Sequence, residues 1–314
     1  MRFAQVTNKP PISFREEAKL MNYHTLRTSE LEVVIGNNES GGDVHETHLP
    51  GYNGIWSLTS KHSSGNCFVP SYAGLNLEHL MDGLFATENR GDIFEPRNCP
   101  MQFELIAGNA VRMTQVSTPL TDVESTTVFE VKEPNIIDFT FTAKLKKPLR
   151  EGKEFGFFWA SYINAPDAPS LYFLDKEMFW NCLSPDKHGN DGGNTVCHDS
   201  IIEPSFGDPT ATSLAHSFSD RKFHIPLMYG RPGDGKMLFL QMFDQNSSIR
   251  ITMSPHGGGR NKELKLFNPA WDYQFIIDEA EVGVEYQMSS RVIYKPYVSK
   301  SEVLELYRDW NQSN

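Results

Sequence analysis

The chain has 314 residues, 39% hydrophobic and 12% aromatic, with 29 Lys+Arg against 40 Asp+Glu for a net charge of −11. That apolar and aromatic content excludes a disordered chain. The acidic balance, with no basic run longer than Lys146-Lys147, argues against nucleic acid or an anionic membrane as partner.

No stretch approaches the ~20 apolar residues of a membrane span, and Met1-Arg2-Phe3-Ala4-Gln5 carries no apolar signal core, so the expected location is the cytoplasm. Cys67, Cys99, Cys182 and Cys197 have no CxxC spacing and read as free thiols. The stretch from Cys182 to Cys197 also holds His188, with His198 just beyond it. That spacing matches no common zinc pattern.

With no repeat and no low-complexity linker, residues 1–314 read as one domain, with an N-terminal extension at 1–29 and a C-terminal helix at 299–312. Short β-branched and aromatic runs separated by Gly, Pro, Asn and Asp predict strands at 31–35, 54–59, 101–106 and 110–116. A short helix is predicted over 76–84, after Gly74. Strands at 125–131 and 136–145 alternate strictly, Phe139 and Phe141 facing one way and Asp138 and Thr140 the other, with Glu133-Pro134-Asn135 joining them as a hairpin. Further strands are predicted at 155–163, 170–174, 237–243, 248–253, 271–277 and 282–294. Ser299 and Glu302 form a capping box, and Val303, Leu306, Tyr307 and Trp310 then share one helical face, suited to cover a sheet edge or core end. The fold class is all-β: a large antiparallel sandwich with a short C-terminal helix.

Five segments carry residues suited to chemistry. His45-Glu46-Thr47-His48, with Asn53 and Trp56 downstream, offers two imidazoles that can converge on a metal or a sugar; the Pro and Gly after them forbid a zinc-protease helix. In Asn76-Leu77-Glu78-His79 a carboxylate adjoins an imidazole, as a general acid or base requires, but in a regular strand only one of the pair reaches a given face. Trp159 and Tyr162, of opposite parity, offer rings to the C–H faces of a sugar, with Asn164 and Asp167 nearby for its hydroxyls. The polar loop from Asp186 to His198 offers His188. Arg260, in Ser254-Pro255-His256-Gly257-Gly258-Gly259-Arg260, can clamp a carboxylate bidentately, and Trp271 follows; His216 and His224 rank lower. The Gly-rich loops are permissive turns, without phosphate-loop spacing, and no Gly-x-Ser-x-Gly elbow is present.

In extent, strand density and late aromatic strands, residues 30 to 298 resemble the galactose-mutarotase-like supersandwich shared by aldose 1-epimerases and the sandwich domains of polysaccharide lyases. The resemblance implies two histidines acting at the sugar ring, His79 and His188 by order, with Glu124 or Glu285 as the carboxylate. The expectation is a carbohydrate-active enzyme of epimerase or lyase type, working by His and carboxylate acid–base chemistry without a cofactor. Its catalytic residues would be His48, His79, His188 and Glu124, and its sugar ligand would meet His45, Asn53, Trp56, Trp159, Tyr162, Asn164, Arg260 and Trp271. The alternatives are a non-catalytic sugar-binding sandwich and a cupin-type enzyme in which strand histidines hold a divalent metal.

Overall fold

The computed structural model describes residues 21–82, 92–150, 152–185, 193–206 and 217–313. Among the described residues, eighteen strands form three sheets. The first strands are β1 (Tyr23–Arg27), β2 (Leu31–Gly36), β3 (Gly54–Ser60), β4 (Asn76–Met81), β5 (Gln102–Ala107) and β6 (Ala110–Gln115). Next come β7 (Val123–Lys132), β8 (Ile136–Leu145), β9 (Phe155–Ala160), β10 (Ala168–Leu174), β11 (Trp180–Leu183) and β12 (Thr195–His198). The last are β13 (Phe218–Phe223), β14 (Leu227–Arg231), β15 (Met237–Phe243), β16 (Ile249–Ser254), β17 (Ala270–Ile277) and β18 (Glu285–Pro296). A short helix α1 (Glu95–Asn98) follows β4, and α2 (Lys300–Ser313) ends the chain.

A nine-stranded sheet, β11-β10-β14-β15-β18-β8-β7-β6-β5, faces a six-stranded sheet, β13-β12-β16-β17-β9-β4, while β1-β2-β3 forms a small third sheet. The pairings are antiparallel except β12 with β13, which is parallel. One apolar cluster, reaching from Leu26 to Tyr294, fills the space between the sheets. Phe139 and Phe141 of β8 enter it, and Asp138 on the opposite face binds Arg291 at 2.6 and 2.8 Å, as their alternation predicts. In β9 and β17 every residue is buried, because this sheet is covered on both faces. Such strands read as near-continuous apolar runs, so the polar residues within them stand out.

Three local expectations change. Residues 23–27, counted with the N-terminal extension, form β1 and pair with β2. The segment from Asn76 is a strand rather than a helix, since its apolar residues face a flat sheet core. Helix α2 covers neither a sheet edge nor a core end: Val303 and Trp310 pack with Leu227, Leu238, Leu240 and Ile293 on the outer face of the large sheet. Half of the expected capping box forms, the Ser299 hydroxyl accepting from the Glu302 N–H at 3.2 Å, while the Glu302 carboxylate turns to Lys295 instead. No described helix is long and apolar enough to cross a membrane.

Gly230 of β14 tests how closely the sheets fit. A Cβ there would lie 2.1 Å from the ring of Trp271, which is fully buried and tethered by its Nε1–H donating to the Pro169 carbonyl at 3.1 Å. Gly230→Ala is expected to destabilise the protein by roughly 1–3 kcal/mol, the usual result of overpacking. An unchanged midpoint in chemical denaturation would show that the ring has room to move.

Candidate functional site

The site begins with an irregularity in β4. Leu77 pairs with Trp159 and His79 with Phe158, so Glu78 is an extra residue, a β-bulge against β9. The parity objection to using Glu78 and His79 together therefore fails, because the bulge turns both to the same side. His79 stacks on Phe158 with ring centroids 4.8 Å apart, and its Nε2 lies 3.4 Å from the Glu78 carboxylate. This is the outer face of the six-stranded sheet, away from the core.

Around Glu78 the chain assembles a charged and aromatic cluster. Tyr162 donates its hydroxyl to Glu78 Oε1 in a short hydrogen bond, and Arg97 Nη1 donates to the same oxygen at 2.9 Å. The Arg97 guanidinium also lies 3.8 Å from the centre of the Tyr52 ring, and its Nε donates to the Gly51 carbonyl at 2.9 Å. Tyr52, Tyr72 and Tyr162 form a ring trio with centroids 4.6, 5.7 and 4.9 Å apart. Tyr52, Tyr72 and Arg97 are only half-buried, so the cluster meets the surface through them.

Buried amides hold this arrangement in place. Asn53 receives the Leu77 N–H at 3.0 Å and donates to the Leu77 carbonyl at 3.1 Å, fixing the β4 backbone just before the bulge. Its other amide hydrogen goes to Asn38 at 2.9 Å, and Asn38 donates to the Pro96 and Cys99 carbonyls at 2.6 and 2.7 Å. Gln115 bonds the same two carbonyls, while Glu95 accepts from the Thr121 hydroxyl at 2.6 Å. Helix α1, which carries Arg97, is thus pinned to β4 through polar side chains.

Farther along the same face, Asp272 of β17 is 1% exposed and accepts the Ser161 N–H at 3.1 Å. Burial, with repulsion from Glu78, pushes its carboxyl well above the usual carboxylate range. A polar band continues across neighbouring strands: Gln274 donates to the Thr252 hydroxyl at 2.9 Å, and that hydroxyl lies 3.0 Å from Thr195. Asn76, fully buried on this face, has no hydrogen-bond partner among the described residues for either amide atom. Burial, reinforced by Arg97, lowers the His79 imidazole despite Glu78. Burial pushes the Tyr162 hydroxyl well above its ordinary value, with Glu78 acting in the same direction. The face therefore offers an imidazole of lowered proton affinity, with a phenol and a carboxyl of raised proton affinity, beside the Glu78 side chain bonded by Arg97.

Of the residues expected from sequence, His79 and Tyr162 meet here, and His48 adjoins through its Nε2–H, which donates to the Tyr52 carbonyl at 3.0 Å. His48 stacks on Trp56 at 3.9 Å, and His45 lies 5.9 Å from the same ring. Trp56 is buried beneath them. Asn53 is spent on the backbone clamp. Trp159 and Trp271 lie fully buried in the intersheet core and present no face to a ligand, because the parity that sends Tyr162 outward sends Trp159 inward. Glu124 sits on the nine-stranded sheet, half-exposed and paired with Lys146 at 2.8 Å; Glu285 is exposed on β18. Asn164 accepts from Asn261 at 3.4 Å, and exposed Arg260 donates to the Lys265 carbonyl at 3.0 Å, bracing its own loop. His188 and His216 lie outside the described residues. Arg97 and Asp272 were not singled out by sequence; the acid inside Ala270-Trp271-Asp272-Tyr273-Gln274-Phe275 was the available signal.

No protein-family model matches the sequence, and no curated protein does. Among solved structures, the chain superposes on a candidate aldose 1-epimerase of Escherichia coli K12 with TM-score 0.51 and 6% identity, covering 88% of this chain and 99% of that one. The fold is the galactose-mutarotase-like supersandwich. A galactose mutarotase-like protein of Lactobacillus casei ATCC 334 superposes with TM-score 0.48 and 11% identity, covering 87% and 99% of the two chains.

Two buried groups give opposite pH signatures. Burial lowers His48 from 6.5 to about 4, so the stability it confers is full above pH 6.5 and is lost as pH falls toward 4, by about 3 kcal/mol at most. His48→Gln keeps a donor but does not titrate, and is expected to flatten acid unfolding in that window. Asp272 has the reverse sign: its raised carboxyl destabilises the fold increasingly as pH rises above the ordinary carboxylate value. Asp272→Asn should gain on wild type by about 1.4 kcal/mol per pH unit until the folded group titrates. Denaturation midpoints from pH 4 to 8 check both; parallel curves for wild type and variants would disprove them.

Proposed function

We propose that the chain is a carbohydrate-active enzyme whose acid–base chemistry is carried by the Glu78 cluster. The observation that carries this reading is a single carboxylate bonded by a phenol and a guanidinium, with an imidazole 3.4 Å away and half-buried tyrosine rings alongside. Rings of this kind take the C–H faces of a sugar, while the polar groups fix its hydroxyls. The likeness of the whole fold to a candidate aldose 1-epimerase supports the same substrate class, as an analogy of scaffold.

In this reading His79, its proton affinity lowered by burial, accepts a proton from a substrate admitted past the half-buried Tyr52, Tyr72 and Arg97. Tyr162 returns one, and its developing charge falls beside Arg97. Glu78 orients both. Asp272, on the central strand β17, acts as a hydrogen-bonding group behind the site. Arg97 is already engaged by Glu78 and Gly51, which leaves it poorly placed to clamp a uronate carboxylate. That favours ring epimerisation or mutarotation of a neutral sugar over elimination of the lyase kind.

The test is turnover on a panel of aldoses followed by polarimetry and NMR, with uronate polymers followed by the ultraviolet absorbance of an unsaturated product. Tyr162→Phe and His79→Ala are each expected to lower kcat by about 10²–10⁴-fold, with His48→Ala affecting stability more than rate. Sugar binding without turnover in the parent would instead favour a binding module built on Tyr52 and Tyr72, and activity unchanged in both variants would refute the assignment.

A further inference from the structure

At the opposite side of the six-stranded sheet from β4, a second cluster of ionisable groups is built by the parallel strands β12 and β13. His198 is the last residue of β12 and pairs with Phe223, the last of β13. The two strands therefore end together, delivering His198, Asp199 and His224 to one point. The Asp199 N–H donates to the Phe223 carbonyl at 2.9 Å, and the His224 N–H to the Leu174 carbonyl at 2.7 Å, so the turn is tied to β10 of the facing sheet. Four strand spacings separate β12 from β4, about 19 Å, which sets this cluster apart from Glu78.

The geometry has the features of a ligand set. Asp199 lies between the imidazoles, with Oδ1 3.3 Å from His198 Nε2 and Oδ2 2.9 Å from His224 Nδ1. The rings are nearly parallel, 19° apart in plane, with centroids 5.9 Å apart. One donor atom from each residue falls within 4.8 Å of the other two. Bonds of about 2.0–2.2 Å from one ion to two imidazole nitrogens and a carboxylate oxygen require donor separations of about 3.3–3.6 Å, which side-chain rotations would have to close. Asp199 also lines a surface cleft of about 340 Å³, from which solvent can supply a fourth ligand.

We infer that His198, Asp199 and His224 form a binding site for a divalent transition ion of the zinc type, which clips the ends of β12 and β13 together. Two imidazoles with one carboxylate select such an ion over magnesium or calcium, which prefer all-oxygen shells. Ser200 completes the site. Without metal, His198 Nδ1 accepts the Ser200 N–H at 3.2 Å, and Nε2–H points to the His224 carbonyl at 3.2 Å. An ion on Nε2 moves the proton to Nδ1, where the Ser200 hydroxyl at 2.8 Å becomes its acceptor, the usual outer partner of a metal-bound imidazole. The loss of the His224 carbonyl contact is offset by the metal bond.

The experiment loads chelator-stripped full-length protein with Zn²⁺ and, separately, Co²⁺. Expected are one equivalent of bound zinc, a rise in Tm on loading, and a visible Co²⁺ spectrum of four-coordinate intensity. The His224 side chain is 45% exposed, so His224→Ala is expected to fold, checked by circular dichroism, and to lose zinc affinity by more than tenfold together with the Tm rise. Ser200→Ala is expected to lose affinity by about 10–100-fold while retaining one site. Absence of stoichiometric zinc in wild type, or zinc binding and Co²⁺ spectrum unchanged in folded His224→Ala, would overturn the inference. Sugar turnover is not among the readouts, so failure here leaves the reading of the Glu78 cluster where it stands.

Discussion

The candidate site depends on one misfit in sheet pairing, the extra residue Glu78 between Leu77 and His79. In an unbroken strand the two side chains would diverge, one into the core cluster and one away from it. The bulge turns both outward at the expense of a ladder interruption, and Asn53 stands beside it, bonding both backbone groups of Leu77. An amide can do this because it offers a donor and an acceptor in one plane, the same pair a neighbouring strand would offer. The polar relay from Asn53 through Asn38 to α1 then sets where Arg97 stands. Position, charge and exposure at Glu78 follow from a backbone constraint met by side chains.

This explains which parts of the molecule were legible in the sequence. Strand periodicity is a local property, so β7 and β8 emerge from alternation alone, and Ile136–Leu145 is the strand that its pattern predicts. Parity also separates Trp159 from Tyr162 correctly. What a sequence does not display is register. The bulge is a relation between β4 and β9, and nothing in Asn76-Leu77-Glu78-His79 marks it; the same run reads equally well as a short helix. The tryptophans mislead for a related reason: a large ring suits a sugar platform and an intersheet core alike, and burial in a two-layer sandwich takes Trp159 and Trp271. Asn53 and Asn38 serve the backbone because a buried loop must satisfy its own N–H and C=O groups.

Electrostatics on the outer face follow from having two carboxyl groups and one nearby guanidinium. Ionising both on a face this largely buried would set like charges against each other with little solvent to screen them. Arg97 and the Tyr162 hydroxyl both go to Glu78. Asp272 receives the Ser161 N–H and, lacking a described cation, is the group whose proton affinity rises. The asymmetry is of the kind acid–base sites exploit, where environments drive titratable neighbours apart. It comes from the order of strands: Asp272 lies on central β17, closed in on both faces, whereas Glu78 lies on β4 at the sheet edge, where α1 can bring a cation to it. A swap of the two carboxyls would put the buried charge where no helix reaches, so the division between a charged edge and a neutral centre is a property of the sheet before it is a property of any one residue.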